Sequence, residues 1–130
     1  MKIAIATKDY ATVCGHAGQT REWLVYDLSS HQSNQLLPAP QRVELNKEQI
    51  LHTFADDGPH PLDGVDIVVT ASAGDGFIRH MKKRGAEVLL TGESDPTLAL
   101  TRIVAGEALP DPRFDITTTL CKLRDLFSRH

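Results

Sequence analysis

Cys14, Gly15 and His16 stand side by side in the stretch KDYATVCGHAGQTR, residues 8–21. Thiolate and imidazole are the side chains that hold soft and borderline transition metals, and glycines at 15 and 18 let a backbone bend around a bulky ligand. Two such ligands do not close a tetrahedral zinc site, which takes four. Without further context, His16 also reads as a solvated loop histidine and Cys14 as a small apolar filler. A second group, Ser72-Ala73-Gly74-Asp75-Gly76, runs directly into a helical pattern. Free N–H groups and the positive end of the helix dipole favour an anion at such a place, with a plain strand-to-helix turn as the alternative. Arg79 stands where the dinucleotide fingerprint needs its third glycine, and GK[ST] is absent, so neither nucleotide-phosphate motif is present.

The other candidates carry less. His80 falls at the rim of an apolar helical stripe, as a boundary histidine able to face a crevice. His52 falls on a polar helical side, and His31, His60 and His130 sit in loops or tails. Arg79, Lys82, Lys83 and Arg84 form a solvated basic face able to steer a polyanion. Cys121 lies off its helical stripe, with nothing to pair it to Cys14. Trp23 and Tyr26 occupy strand positions and read as packing. Asp9, Asp66 and Glu93 are scattered over different segments, and no G-x-S-x-G or H-E-x-x-H occurs. No catalytic constellation emerges, so the expectation is a binding protein and not an enzyme.

These residues need a scaffold. Residues 2–7 (KIAIAT) are apolar on both alternating faces, as in a strand covered on both sides. Residues 22–28 are aromatic and β-branched, a second strand. Residues 35–45 hold Pro38 and Pro40, which predicts an edge or broken strand. Asn46 is placed to cap a helix bearing Ile50, Leu51, Phe54 and Ala55, ended by Asp57-Gly58-Pro59. Residues 65–71 and 86–91 read as buried strands, and residues 75–84 as a helix closed by Gly85. Asp95 and Pro96 start another helix with Leu100, Ile103 and Val104 inward. Asp115 caps a last one with Ile116, Leu120, Leu123 and Phe127. This order predicts a mixed sheet, antiparallel on one side and parallel on the other, flanked by helices, with strand 65–71 parallel to and beside strand 2–7. Ligands in such sheets bind beyond the carboxyl ends of the parallel strands. Loops 8–21, 72–76 and 92–95 all leave those ends and should meet in one crevice.

The chain has 130 residues, a single-domain length. Its hydrophobic fraction of 41% and charged fraction of 24% are those of a globular chain, which rules out disorder. A net charge of −3 argues against a nucleic-acid partner. Two cysteines cannot build a disulfide framework, and no apolar run nears the roughly 20 residues of a membrane span. The expected location is the cytoplasm, with no membrane partner.

The opening MKIAIATKD, the segment GHAGQTREWLVYDL and the segment GVDIVVTASAGDGFIRHMKKRGAEVLLTGESDP resemble the dinitrogenase iron–molybdenum cofactor biosynthesis family over about residues 1–108. The resemblance implies a ribonuclease H-like α/β fold, three layers α/β/α around a five-stranded mixed sheet. Residues 109–130 would add a helical extension within one domain. Members include small carriers of the nitrogenase cofactor or its precursor, and a domain attached to the radical enzyme that builds the cluster core. The family loop typically reads G-H-F-G-R-A, and its histidine, implicated in cluster binding in some carriers, matches His16. Here Ala17 replaces the aromatic and Gln19 the arginine, with Arg21 the cation placed to compensate.

The implied cargo is the iron–molybdenum cofactor or a precursor iron–sulfur cluster, with nitrogenase or cofactor-assembly proteins as partners. Such a cluster is large and anionic. Holding it transiently takes one or two soft ligands, several N–H donors and an open mouth. The expected metal ligands are His16 and Cys14, and the expected cluster-binding residues are Gly15, His16, Gly18, Arg21, Gly74 and Gly76. Two rivals are a metal-free interaction or regulatory module of the same fold, and a ribonuclease H-like hydrolase. The hydrolase would need clustered carboxylates around two magnesium ions, with Asp9 among them.

Overall fold

The opening strand is apolar on both faces because both are covered. The computed structural model describes residues 1–29, 37–52, 54 and 59–106. Its strands are β1 (Lys2–Lys8), β2 (Thr12–Val13), β3 (Glu22–Asp27), β4 (Gln41–Glu44), β5 (Ile67–Thr70) and β6 (Glu87–Leu90). Its helices are α1 (Asp75–Lys83) and α2 (Pro96–Val104). The sheet runs β4-β3-β1-β5-β6, with two-residue β2 paired to the end of β1. β1 lies antiparallel to β3 and parallel to β5, Ile3 opposite Ile67 and Ile5 opposite Val69, and β6 lies parallel to β5. The predicted parallel neighbour of β1 is therefore found, and β4, just after Pro38 and Pro40, is an edge strand. The sheet has six strands where five are expected, because β2 forms inside the segment read as a loop.

Alternation divides the core into two layers. Ile3, Ile5, Leu24, Tyr26, Ile67, Val69 and Leu89 pack with Leu100 and Ile103 of α2. Ala4, Ala6, Trp23, Val25 and Val68 pack on the opposite side with Met81 of α1 and with Leu45, Leu51, Leu62 and Val65. Trp23 lies directly across from Ala6, so the small side chain leaves room for the indole. Trp23 is fully buried, and its Nε1–H reaches the Thr20 carbonyl at 3.1 Å. The Asp95 carboxylate caps α2, accepting from the Thr97 and Leu98 amides at 2.9 and 3.3 Å, with Pro96 at the first helical position. Gly85, at φ 87°, ends α1 as expected.

Over residues 47–52, where the helix after Asn46 is predicted, turns stand instead, while Ala55 and the expected stop at Asp57-Gly58 lie outside the described residues. The start of the segment is capped as expected: Asn46 Oδ1 accepts from the Glu48 amide, and Gln49 Oε1 accepts from the Asn46 amide. The His52 amide, which a helix would direct to Glu48, instead donates to the Gly18 carbonyl at 2.8 Å. A tertiary hydrogen bond thus takes the donor that would propagate the helix. His60 anchors the approach to β5. It is 5% exposed, Nδ1 accepts from the Leu62 amide, and Nε2 meets the Gln49 carbonyl. The helix expected from Asp115, and Cys121, lie outside the described residues. Among the described residues no helix is long and apolar enough to cross a membrane.

Candidate functional site

Three loops leave the carboxyl ends of the parallel strands, and backbone hydrogen bonds stitch them together. The Cys14 amide donates to Ala6 O of β1 at 3.0 Å, while the Ala71 amide and the Thr70 hydroxyl both donate to Cys14 O at 2.8 Å. The Val13 amide donates to Ser94 O at 2.8 Å. The stretch from Val13 to Ala17 therefore lies across the ends of β5 and β6, in the crevice that topology predicts.

His16 is held at this junction by its backbone. Its amide donates to Ser72 Oγ at 2.9 Å, and the next amide, of Ala17, donates to Ser72 O at 3.3 Å. His16 itself is exposed and left-handed, φ 56° and ψ 53°, a conformation costing a non-glycine residue about 1 kcal/mol or more. Its ring is thus presented outward from a backbone pinned to Ser72, which precedes Gly74 by two positions. Gly15 makes the approach possible: a Cβ there would stand 2.4 Å from Ser72 Oγ. Cys14 is half-buried against the Trp23 side of the core, with Sγ 3.4 Å from the Thr20 hydroxyl. The structure therefore brings Cys14, Gly15 and His16 to the Ser72 loop and gives the thiol a packed setting.

Beside them opens a cavity of about 220 Å³ lined by Gly18, Leu51, His52, Gly76, Phe77 and His80. It joins the Gly18 end of the first loop to the start of α1. That helix begins at Gly74 with no side-chain cap, unlike α2, and a Cβ at Gly74 or Gly76 would meet nothing within 4 Å. Both glycines and the first-turn amides are therefore approachable. Asp75 puts one carboxylate in that turn, so an incoming anion meets a mixed field. His52 and His80, given no binding role by sequence reasoning, share this wall. Only the failed helix places His52 there, and no residue pattern announces it; His80 was legible as a rim position.

Arg21 is not brought to the cavity. Its Nε–H donates to the Leu45 carbonyl at 2.9 Å, and a guanidinium nitrogen lies 3.9 Å from the Glu44 carboxylate at the sheet edge. Asp66 sits at the far end of β5, where its carboxylate accepts from the Lys2 amide. Glu93 accepts from the Asp95 amide, and the Asp9 amide donates to Glu22. Among the described residues, no three His, Cys, Asp or Glu side chains gather to hold a metal ion. A closed four-ligand site is therefore not built from these residues, and neither is a carboxylate cluster. A larger cavity, about 410 Å³, opens on the α2 side of the sheet beside Tyr10, Tyr26, Arg42 and Asp95, where the Arg42 guanidinium lies 4.9 Å from the Tyr10 ring centre. Among the described residues, no histidine or cysteine lines it.

The β4-β3-β1-β5-β6 order, with helices on both faces and three loops gathered beyond the parallel strands, defines an α/β protein of the three-layer kind. Residues 1–106 match the family described as dinitrogenase iron-molybdenum cofactor, and the chain belongs to that family. Solved structures share the fold. The PH0822 protein is 20% identical with a TM-score of 0.65, covering 86% of this chain and 97% of its own. The mj0327 protein of Methanocaldococcus jannaschii is 11% identical at 0.60, with 82% and 90% covered. The apo form of the orange protein of Desulfovibrio gigas is 15% identical at 0.59, with 85% and 92% covered. No curated protein matches the chain.

Proposed function

We propose that the protein is a carrier or chaperone that holds an iron–molybdenum cofactor, or a precursor metal–sulfur cluster, and hands it to cofactor-assembly proteins or nitrogenase. The observation that carries this reading is His16: an exposed imidazole on a strained, doubly pinned backbone, beside an uncapped helix start. Strain kept at an exposed residue, with no side-chain capping bond in return, fits a binding role. His16 acts as the primary metal ligand. The Gly74 to Gly76 turn offers amides to cluster sulfides, and Gly15 and Gly18 shape the loop. Cys14 serves as second ligand only after its contact with Thr20 opens. Few ligands suit cargo that must be released, where a permanent site would be closed.

A metal-free interaction module of the same fold is the second reading. It is favoured by Arg21, whose guanidinium is engaged at the sheet edge and so does not replace the cation missing at Gln19. Untagged protein should be purified without oxygen or chelators from cells making the cluster, and its metal and sulfide measured. Co-purifying iron or molybdenum with sulfide supports the carrier. Metal-free protein that also takes up no isolated cofactor supports the module.

A further inference from the structure

The cavity that opens at Gly18, two residues along the chain from His16, has a composition the loop alone does not predict. Leu51, 2% exposed, and half-buried Phe77 give it apolar walls, while His52 and His80 bring two imidazoles to it. His52 reaches this place because its amide is fixed to Gly18 O at 2.8 Å, a backbone bond that survives any side chain. His80 reaches it because Gly76, Phe77 and His80 follow one another at helical spacing on one stripe of α1. The two histidines thus arrive from separate segments onto one concave surface that starts two residues beyond His16.

Charge decides what such a pair would hold. Lys83 continues the stripe three residues after His80, and with Arg79 and Lys82 it outweighs the single carboxylate of Asp75, so α1 presents net positive charge to a bare divalent cation. An anionic metal–sulfur cluster meets a mixed field, the Asp75 carboxylate against the more numerous cations of α1, and, at its metals, imidazole nitrogens that suit iron and other borderline ions. The apolar walls lower the local dielectric and strengthen both contacts. We infer that this cavity is where the cluster seats, with His52 and His80 as further ligands or hydrogen-bond donors to it beyond His16. The inference rests on the carrier reading and adds residues to it.

The test uses the full chain and isolated iron–molybdenum cofactor, titrated anaerobically and followed by visible absorption. Four proteins are compared: wild type, His16→Gly, His52→Gln and the double variant His52→Gln/His80→Gln. Far-UV circular dichroism and thermal midpoints establish that each is folded. The expected result is that the double variant binds at least about tenfold more weakly than wild type and His52→Gln falls between them. Wild-type affinity in the folded double variant, with binding weakened by His16→Gly, overturns the seat while leaving the carrier reading intact. Failure of wild type itself to bind overturns the carrier reading and the seat with it. Should the double variant prove unfolded, His52→Gln alone decides, since His52 is exposed and its amide bond is retained.

Discussion

Gly15 and Ser72 are the closest-fitted pair at the site, and their coupling is measurable. Alanine at 15 places a methyl against Ser72 Oγ, which must rotate and release the His16 amide. Gly15→Ala should cost roughly 1–2 kcal/mol in urea unfolding, and Ser72→Ala about 1 kcal/mol. The double variant should cost less than the sum by at least about 0.5 kcal/mol, because removing Oγ removes the obstacle. Strict additivity would contradict the contact. That Cys14, Gly15 and His16 sit beyond the end of β1 near the Ser72 loop was readable from the strand pattern, because all loops at that end of a parallel pair converge. That Ser72 pins His16 was not readable, because nothing in the intervening sequence specifies a contact between residues 56 apart. That the Arg21 Nε–H donates to the Leu45 carbonyl was unreadable for the same reason, since adjacency in sequence does not reveal a partner 24 residues away.

α1 and α2 differ at their starts, and the difference offers a way to separate stability from the proposed binding. α2 is capped by Asp95, whereas α1 begins at Gly74 in extended backbone, φ −77° and ψ 161°, with open space where a side chain would stand. Gly74→Asp should therefore cap α1 and raise the thermal midpoint by an amount corresponding to roughly a few tenths of a kcal/mol. It should also weaken cluster binding, by filling the amides and adding negative charge. A variant that is stabilised and binds undiminished would remove the helix start from the site. The parallel pairing of β5 with β1, the close of α1 and the start of α2 were legible because apolar periodicity and the Gly85 and Asp95-Pro96 signals agree with one another. The segment after Asn46 carried equally good capping signals and does not form a helix, since the His52 amide is claimed by Gly18. Local propensity lost there to a tertiary donor–acceptor match.

Across the whole molecule, packing of the sheet against α2 alters the titration of a core residue. Tyr26, packed in the α2 layer, has its phenol raised above the usual value, chiefly by burial and secondarily by the nearby Asp95 carboxylate, against a lowering hydrogen bond from Thr97. A raised folded value means that the unfolded chain ionises first. The stability is fully present below the ordinary phenol range near pH ~10 and is lost as pH rises through the folded value. Denaturant midpoints should fall above about pH 10 in wild type and fall less in Tyr26→Phe; equal slopes would contradict the assignment. The three-layer plan was legible at this scale because the sheet's connectivity leaves few alternatives, whereas the two-residue β2 is too short to leave a pattern. The proposed function turns, at this scale, on the imidazole at position 16. His16→Gly tests it most directly, because glycine accepts φ 56° and removes the ring without disturbing the loop. Anaerobic titration with isolated iron–molybdenum cofactor should show binding by wild type and at least about tenfold weaker binding by His16→Gly at equal or higher thermal stability. Equal affinity in the two folded proteins would contradict the account.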